Sequence, residues 1–138
     1  MIIEFDDNLI TGNDMIDGQH KELITRIRQF VTSCENGEGQ RKAVTMLDYL
    51  EEYTNFHFGE EEKLQESVGY PELKQHQAKH AEFKNSLKEL HEFLEDSEGP
   101  TEEFVRQVER NVVEWLFNHI KTFDRSVAEF IFMRDSLA

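Results

Sequence analysis

Residues 57–80 read HFGEEEKLQESVGYPELKQHQAKH, and this stretch decides the fold of the chain. His57 and Glu61 are four residues apart, as are His76 and His80, so each pair lies on one face of a helix. The Gly-Tyr-Pro sequence between the pairs ends the first helix and lets a second begin. Two helices that meet at such a turn bring imidazoles and a carboxylate together, which is half of a metal site.

The remaining sequence shows apolar residues at helical spacing, and no segment alternates with period two. The predicted elements are an extended arm over 1–13, helices from 14–17 to 36, from 40 to 67, from 71 to 95 and from 101 onward, and a short last helix through Phe130 and Met133. Four long amphipathic helices joined by short turns predict an all-α fold, an antiparallel up-down-up-down four-helix bundle with an N-terminal arm and a short C-terminal helix. Residues 1–138 are expected to form one domain.

Five histidines are predicted to lie at one level of this bundle. Counting residues from each turn, at about 1.5 Å per residue, puts His20, His57, His76, His80 and His119 within roughly one turn of the same height. All five lie on apolar stripes and therefore point inward. Burying five imidazoles together is costly unless they bind something. Imidazoles with carboxylates suit iron, zinc, copper or nickel.

Two carboxylates are candidates to join the histidines. Glu61 shares their height and their face of the helix. Asp124 follows His119 by five residues rather than four, which on a regular α-helix is about 140° out of line. We therefore predict a π-type widening near residues 119–124, because such bulges favour functional sites. The alternative is that Asp124 reaches in from the end of the helix.

The seven candidate ligands are His20, His57, Glu61, His76, His80, His119 and Asp124. Their order and local spacings, which span nearly the whole chain, resemble those of hemerythrin and its bacterial relatives. The resemblance implies a four-helix bundle that holds two non-haem iron ions with a solvent-derived bridging oxygen. The implied ligand sets are His76, His80 and His119 for one iron, His20 and His57 for the other, and Glu61 and Asp124 as bridges. The second iron keeps one open position, where the family binds dioxygen.

Apolar residues within a turn of the candidate ligands are predicted to line a dry oxygen pocket, with ordinary core packing as the alternative for each. They are Leu23, Phe58, Trp115, Leu116 and Ile120. Two positions depart from the family pattern. Relatives usually carry a tryptophan in the arm, where this chain has Phe5, and many carry an aromatic residue where this chain has Val127. His91 lies outside the ligand pattern and is predicted to have no metal role.

Composition excludes several classes of partner. The formal net charge of −14 argues against nucleic acids and anionic membranes, which require a basic surface. A membrane span needs about 20 consecutive apolar residues, and the sequence has no such run. Cys34 is the only cysteine, so an intrachain disulfide is impossible and a cytoplasmic location is the simplest expectation. Cys34 itself is predicted to be a plain buried or boundary residue.

The leading functional hypothesis is reversible dioxygen binding at a di-iron centre, as a carrier, store, scavenger or sensor rather than an enzyme. A chain of 138 residues leaves no room for a signalling domain, so a free-standing carrier or store is expected. The alternatives are a di-iron peroxidase, an oxygen- or nitric-oxide-detoxifying reductase, and a zinc-binding or metal-sensing regulator. A site without a general acid or base beyond its ligands counts against an enzyme.

Overall fold

The computed structural model describes residues 2–137 and shows the predicted all-α bundle. The bounds of the four helices are α1 Asp14–Glu35, α2 Gln40–Val68, α3 Leu73–Glu95 and α4 over 102–137. Short turns reverse the chain between successive helices, so the up-down-up-down topology is confirmed. The predicted bounds agree closely, although α3 begins at Leu73, after a turn that contains Pro71.

Local capping explains where the helices begin and end. The Asn13 side chain accepts a hydrogen bond from the backbone N–H of Ile16 at 3.0 Å and so caps α1. Thr101 caps α4 in the same way through the backbone N–H of Phe104 at 3.1 Å. At the end of α2, Gly69 adopts a left-handed conformation with φ of 69°, which glycine reaches without steric cost. This turn sets the angle at which α3 returns beside α2.

The last helix is not a regular α-helix. Its α-helical segments are Glu102–Val108, Trp115–His119 and Arg125–Leu137, and π-helical segments lie between them at Glu109–Glu114 and Ile120–Asp124. The predicted π widening near 119–124 is therefore confirmed, and the first π segment was not predicted. The predicted C-terminal helix is present and continues from the second π segment without a break.

The N-terminal arm packs across the bundle. It is extended except for a short 3-10 turn at Asp7–Leu9. Leu9 and Ile3 are buried, and the Asp17 carboxylate accepts hydrogen bonds from the Thr11 hydroxyl at 2.7 Å and the Thr11 N–H at 2.9 Å. The arm is therefore fixed to the start of α1, one turn before His20.

An aromatic-rich core fills the space between the helices. Phe30, Phe58, Phe83 and Phe104 are all fully buried, and the rings of Phe30 and Phe104 meet edge to face at 6.0 Å. Burying a side chain of this size stabilises a fold by about 1.5–3 kcal/mol. Within residues 2–137, no helix combines the length and the apolar character that crossing a bilayer requires.

Candidate metal centre

All seven candidate ligands meet at one level inside the bundle. The first group of side chains whose ligand atoms lie within 4.8 Å of one another is Glu61, His76, His80, His119 and Asp124. The second group is His20, His57, Glu61 and Asp124. The two groups share only the two carboxylates. This is the arrangement expected of two adjacent metal positions that are bridged by carboxylates. Whether these residues bind metal stays a prediction.

Each helix supplies part of the cluster. Helix α1 contributes one histidine, α2 a histidine and a glutamate four residues apart, α3 two histidines four residues apart, and α4 a histidine and an aspartate. None of the seven side chains is more than 3% exposed. Helical spacing of four residues turns each pair on α2 and α3 toward the same interior volume.

The second π segment brings Asp124 into the cluster. A regular α-helix would turn this carboxylate away from His119, but Ile120–Asp124 is π-helical and Asp124 is 1% exposed. Its Oδ1 lies 3.1 Å from Nε2 of His119 and 2.9 Å from Nε2 of His76. A π turn accommodates one extra residue. Asp124, five residues after His119, therefore takes the place that the fourth residue would take on a regular α-helix.

The distances within the cluster are those of ligands gathered around a cation. Nε2 of His76 lies 2.8 Å from Oε1 of Glu61 and 3.0 Å from Nε2 of His119. Donor atoms at about 2.1 Å from one ion and at right angles to each other are separated by about 3.0 Å. Without a metal, one of these two nitrogens must carry a proton to form a hydrogen bond with the other, whereas a metal ion accepts the lone pair of each.

Unsatisfied polar atoms in the cluster also fit a metal. Both ring nitrogens of His20, both carboxylate oxygens of Glu61, Nε2 of His57 and of His80, and Oδ2 of Asp124 are buried without a hydrogen-bond partner. Nε2 of His20 lies 2.8 Å from Oδ2 of Asp124, but the two atoms do not meet in hydrogen-bond geometry. Leaving such groups unpaired in a protein interior costs several kcal/mol in total, at about 1–3 kcal/mol each. Cation binding removes that cost.

The two buried carboxylates favour positive charge in the centre. Burial disfavours the charged imidazole of His76, but its hydrogen bond to Asp124 and the close Glu61 carboxylate together outweigh burial and raise the pKa of His76 to about 9. Burial lowers the pKa of His57 to about 4 against a weaker opposing effect of Glu61. Burial alone would raise the pKa of Asp124, yet the neighbouring His119 and the other histidines hold it well below its usual range. Protons supply positive charge to the metal-free cluster, and metal ions would supply it in the loaded protein.

Three side chains orient candidate ligand histidines by contacting Nδ1, the ring nitrogen that faces away from the centre. Nδ1 of His57 lies 2.7 Å from Oε1 of Gln19, and Nδ1 of His80 lies 2.8 Å from Oε2 of Glu62. The Gln65 amide lies 3.0 Å from Nδ1 of His76. When Nδ1 donates to such a partner, Nε2 carries the lone pair that a metal needs. For His76 this requires the amide oxygen of Gln65 to face the ring, and that oxygen otherwise has no partner.

Sequence reasoning missed these three orienting residues, although two of them stand directly beside a candidate ligand. Gln19 precedes His20, and Glu62 follows Glu61. In each pair one residue faces the cluster while its neighbour reaches a histidine on the adjacent helix. A polar residue next to an inward-facing ligand was therefore the available signal.

Aromatic rings hold the histidines of the first group. Phe58 stacks on His80, with ring centroids 3.7 Å apart and planes 2° from parallel. Trp115 stacks on one face of His119 at 4.5 Å, and Phe123 stacks on the ring at 5.3 Å. These contacts restrict rotation of both imidazoles.

The predicted pocket residues lie beside the cluster. Leu23, Phe58, Leu116 and Ile120 are fully buried, and Trp115 is partly buried. Their role in an oxygen pocket stays a prediction, because the same positions serve core packing. Among the departures from the family pattern, Phe5 packs partly buried against the core and Val127 is buried. Cys34 is a free, buried cysteine, as predicted.

Comparisons with known proteins identify similar chains. The family model described as hemerythrin HHE cation binding domain matches residues 11–131. The bacteriohemerythrin of Stenotrophomonas maltophilia is 31% identical over 129 residues, which cover 93% of this chain and 80% of that protein. The myohemerythrin of Riftia pachyptila is 29% identical over 120 residues, which cover 87% and 86% respectively. A crystal structure of wild-type hemerythrin, 22% identical, has a similar fold with a TM-score of 0.79 over 94% of this chain and 97% of that one.

Proposed function

Because this chain belongs to the hemerythrin family, we propose that it holds two iron ions in the buried cluster and binds dioxygen reversibly. The observation that carries the proposal is the division of the cluster into two ligand groups that share Glu61 and Asp124. Five imidazoles and two carboxylates are donors that iron accepts. The family relationship supports iron rather than zinc, copper or nickel, which the same donors also suit.

The two groups differ in how many histidines they offer. One position has His76, His80 and His119, and the other has only His20 and His57, each with the shared carboxylates. With fewer protein donors, the second position keeps room for an exogenous ligand. Iron at that position would supply the electrons and the open coordination site that dioxygen binding requires.

The surrounding side chains would protect the bound oxygen. Leu23, Phe58, Leu116 and Ile120 have no exposed surface and lie within a turn of candidate ligands. A dry apolar lining excludes water and protons, and so favours release of oxygen unchanged over its loss in a reduced form. Gln19 would hold the His57 ring, at the position with the open site, through the 2.7 Å contact with Nδ1.

The proposed role is that of a carrier, store, scavenger or sensor of dioxygen in the cytoplasm, and it includes no enzymatic turnover. A predominance of neutral imidazoles over carboxylates favours reversible binding, because few anionic donors are available to stabilise highly oxidised iron. The cytoplasmic location rests on the single cysteine of the chain, which is typical of a reducing compartment.

An oxygen-binding experiment tests the proposal directly. The protein is loaded with ferrous iron under nitrogen, its iron content is measured, and its visible spectrum is recorded before and after oxygen is admitted. We expect about two irons per chain and a visible band that disappears when oxygen is removed, over repeated cycles. His57→Ala should abolish the oxygen-dependent band, whereas His91→Ala, which removes a histidine outside the cluster, should retain it.

Two results would contradict the proposal at different points. An iron content clearly different from two per chain would refute the di-iron assignment. If two irons bind but oxidise irreversibly on the first exposure to oxygen, the di-iron assignment would stand and reversible oxygen binding would be refuted.

A further inference from the structure

A second group of potential metal ligands lies between α2 and α3, well away from the buried centre. It comprises Asp48 and Glu51 on α2 and His91 and Glu95 on α3. His91 lies 11 residues beyond His80, which is about 16 Å along the helix. The group is therefore separate from the iron ligands in space as well as in sequence.

The spacing resembles that of metal sites in helical bundles. Asp48 and Glu51 are three residues apart on one helix, and His91 and Glu95 are four residues apart on the neighbouring antiparallel helix. Each spacing puts both side chains of a pair on one face. Metal sites in bundles are built from carboxylate and histidine pairs of this kind on facing helices.

The contacts of His91 fix the direction in which each ring nitrogen points. Nδ1 lies 3.0 Å from Oε1 of Glu95, and Nε2 lies 3.0 Å from Oδ1 of Asp48. The Nε2–Asp48 contact has hydrogen-bond geometry, and the Nδ1–Glu95 contact is an ion-pair distance only. In the metal-bound form Glu95 would hold Nδ1 while Nε2 exchanges its hydrogen bond for the metal. The separation of Nε2 from the Asp48 oxygen equals that of two ligands on one ion, which is about 3.0–3.4 Å for right-angled or tetrahedral arrangements.

Unpaired polar atoms face the cavity next to His91. Thr54 is only 1% exposed, its hydroxyl has no hydrogen-bond partner, and it lines a cavity of about 350 Å³ together with Glu51 and His91. Oε1 of Glu51 is also buried without a partner. A buried hydroxyl and a carboxylate oxygen without partners both indicate a missing polar ligand or ion.

The local charge favours a cation. Asp48, Glu51 and Glu95 surround one imidazole. Burial raises the pKa of Glu51 against an opposing effect of His91, and the charges of Asp48 and Glu95 act in the same direction as burial. Lys84 also lines the cavity, but its ammonium lies 6.0 Å from the centre of the Phe58 ring. Lys88 lines the cavity as well, so a cation is favoured only at the end where Glu51, Glu95 and, outside the lining, Asp48 surround His91.

We propose that Asp48, Glu51 and His91 bind a borderline divalent cation such as Zn²⁺, with Glu95 as the residue that orients His91. Nε2 of His91 and Oδ1 of Asp48 are already adjacent. The donor atoms of the three residues are not gathered within 4.8 Å of one another as those of the buried centre are, so binding requires the partly buried Glu51 carboxylate to rotate toward the other two. The Thr54 hydroxyl hydrogen-bonds to a water molecule on the bound ion. Imidazole together with carboxylates selects such ions over Ca²⁺ and Mg²⁺, which prefer oxygen ligands alone.

Zinc titration of the metal-loaded protein tests this site. The buried centre is first saturated, its metal content is measured, and ZnCl₂ is then added while heat of binding and retained metal are recorded. We expect one additional Zn²⁺ per chain, unchanged content of the original metal, and a higher melting temperature. CaCl₂ at the same concentration should produce neither effect.

Variants on the two helices locate the additional zinc. His91→Ala should abolish its binding, and Glu95→Ala should weaken binding by about 10- to 100-fold, the usual effect of losing an orienting carboxylate. Glu52→Gln removes an exposed carboxylate from the same helix as Asp48 and should leave the affinity unchanged. Circular dichroism of each variant verifies that the helices are intact.

Three outcomes would overturn the proposal. They are the absence of additional zinc on the wild-type chain, zinc that replaces the metal of the buried centre without an increase in total metal, and binding that persists in His91→Ala. Because only the increment that depends on His91 is counted, failure of this site is distinguishable from failure of the di-iron centre.

Discussion

Removing the Glu62 carboxylate, which contacts Nδ1 of His80, should lower the metal affinity of the centre without removing any candidate ligand. Oε2 of Glu62 lies 2.8 Å from Nδ1 of His80, whose side chain is 1% exposed, whereas that of Glu62 is 24% exposed. The carboxylate keeps the proton on Nδ1, aims Nε2 at the centre and makes the imidazole a stronger donor. Glu62→Ala removes all three effects, and Glu62→Gln retains an acceptor but loses the charge.

The size of the effect follows from the kind of contact. Loss of a partner behind a ligating histidine lowers metal affinity by about 10- to 100-fold, which corresponds to about 1.4–2.8 kcal/mol. Because Glu62 is partly exposed, solvent screens its charge, and we expect Glu62→Ala to fall near the lower end of that range. The amide oxygen of Glu62→Gln still accepts from His80, so its loss should be smaller still. The expected order of affinity is wild type, then Gln, then Ala.

Iron release measures this order. Ferrous protein is mixed under nitrogen with a chromophoric chelator, and the rate of iron transfer is followed by absorbance. Glu66→Gln is the control, because Glu66 lies one helical turn further along α2 and is exposed. Release from Glu62→Ala at the wild-type rate, or equal acceleration in Glu66→Gln, would refute a role for the carboxylate behind His80.

Three further predictions concern the core, the cysteine and protons. Phe58→Ala should lower the free energy of unfolding by about 3–5 kcal/mol, because it leaves a cavity against the His80 ring. Phe56→Ala, at a position 51% exposed, should cost far less, and equal denaturation midpoints would contradict this reasoning. Burial raises the pKa of the Cys34 thiol to about 11, so at pH 8 a thiol reagent should react slowly with the folded protein and rapidly after denaturation. The raised pKa of His76, about 9, means that the metal-free protein holds a proton there at pH 7, which a ligating imidazole must release. Metal affinity should therefore rise with pH up to about 9, and a pH indicator in weak buffer should detect proton release that declines above that value.

The sequence predicts the bundle and the meeting of the histidines because both depend on regular spacing. A histidine and a glutamate four residues apart on α2, and two histidines four residues apart on α3, each lie on one face of their helix. Because short turns join antiparallel helices, residues equally far from a turn lie at the same height. The structure confirms that His20, His57 and His119 reach the same level from three different helices. Regular geometry therefore accounts for the position of every candidate ligand except Asp124, which required the assumption of a π turn.

Contacts that depend on side-chain rotamers were not predictable in the same way. Gln19 reaches across to His57, and Glu62 reaches His80, although neither lies on the inward stripe of its own helix. Long flexible side chains choose such partners only after the helices have packed. The polar group around His91 was missed for a related reason, because a single histidine gives no sign of the carboxylates that a neighbouring helix brings to it.

Helix α4 nevertheless carries a sequence signal for both of its π segments. Residues at a strict interval of four, from position 104 to position 128, are all buried: Phe104, Val108, Val112, Leu116, Ile120, Asp124 and Ala128. On a regular α-helix each interval of four drifts by about 40°, so six intervals would rotate the row by about 240° and expose part of it. The row stays buried because π turns accommodate additional residues and cancel this drift. The segment at Glu109–Glu114 corrects the register before His119, and the segment at Ile120–Asp124 corrects it again between His119 and Asp124. The two widened turns thus have the same effect. They keep one straight row of residues on α4 facing the bundle interior, so that Asp124 in this row lies at the metal centre.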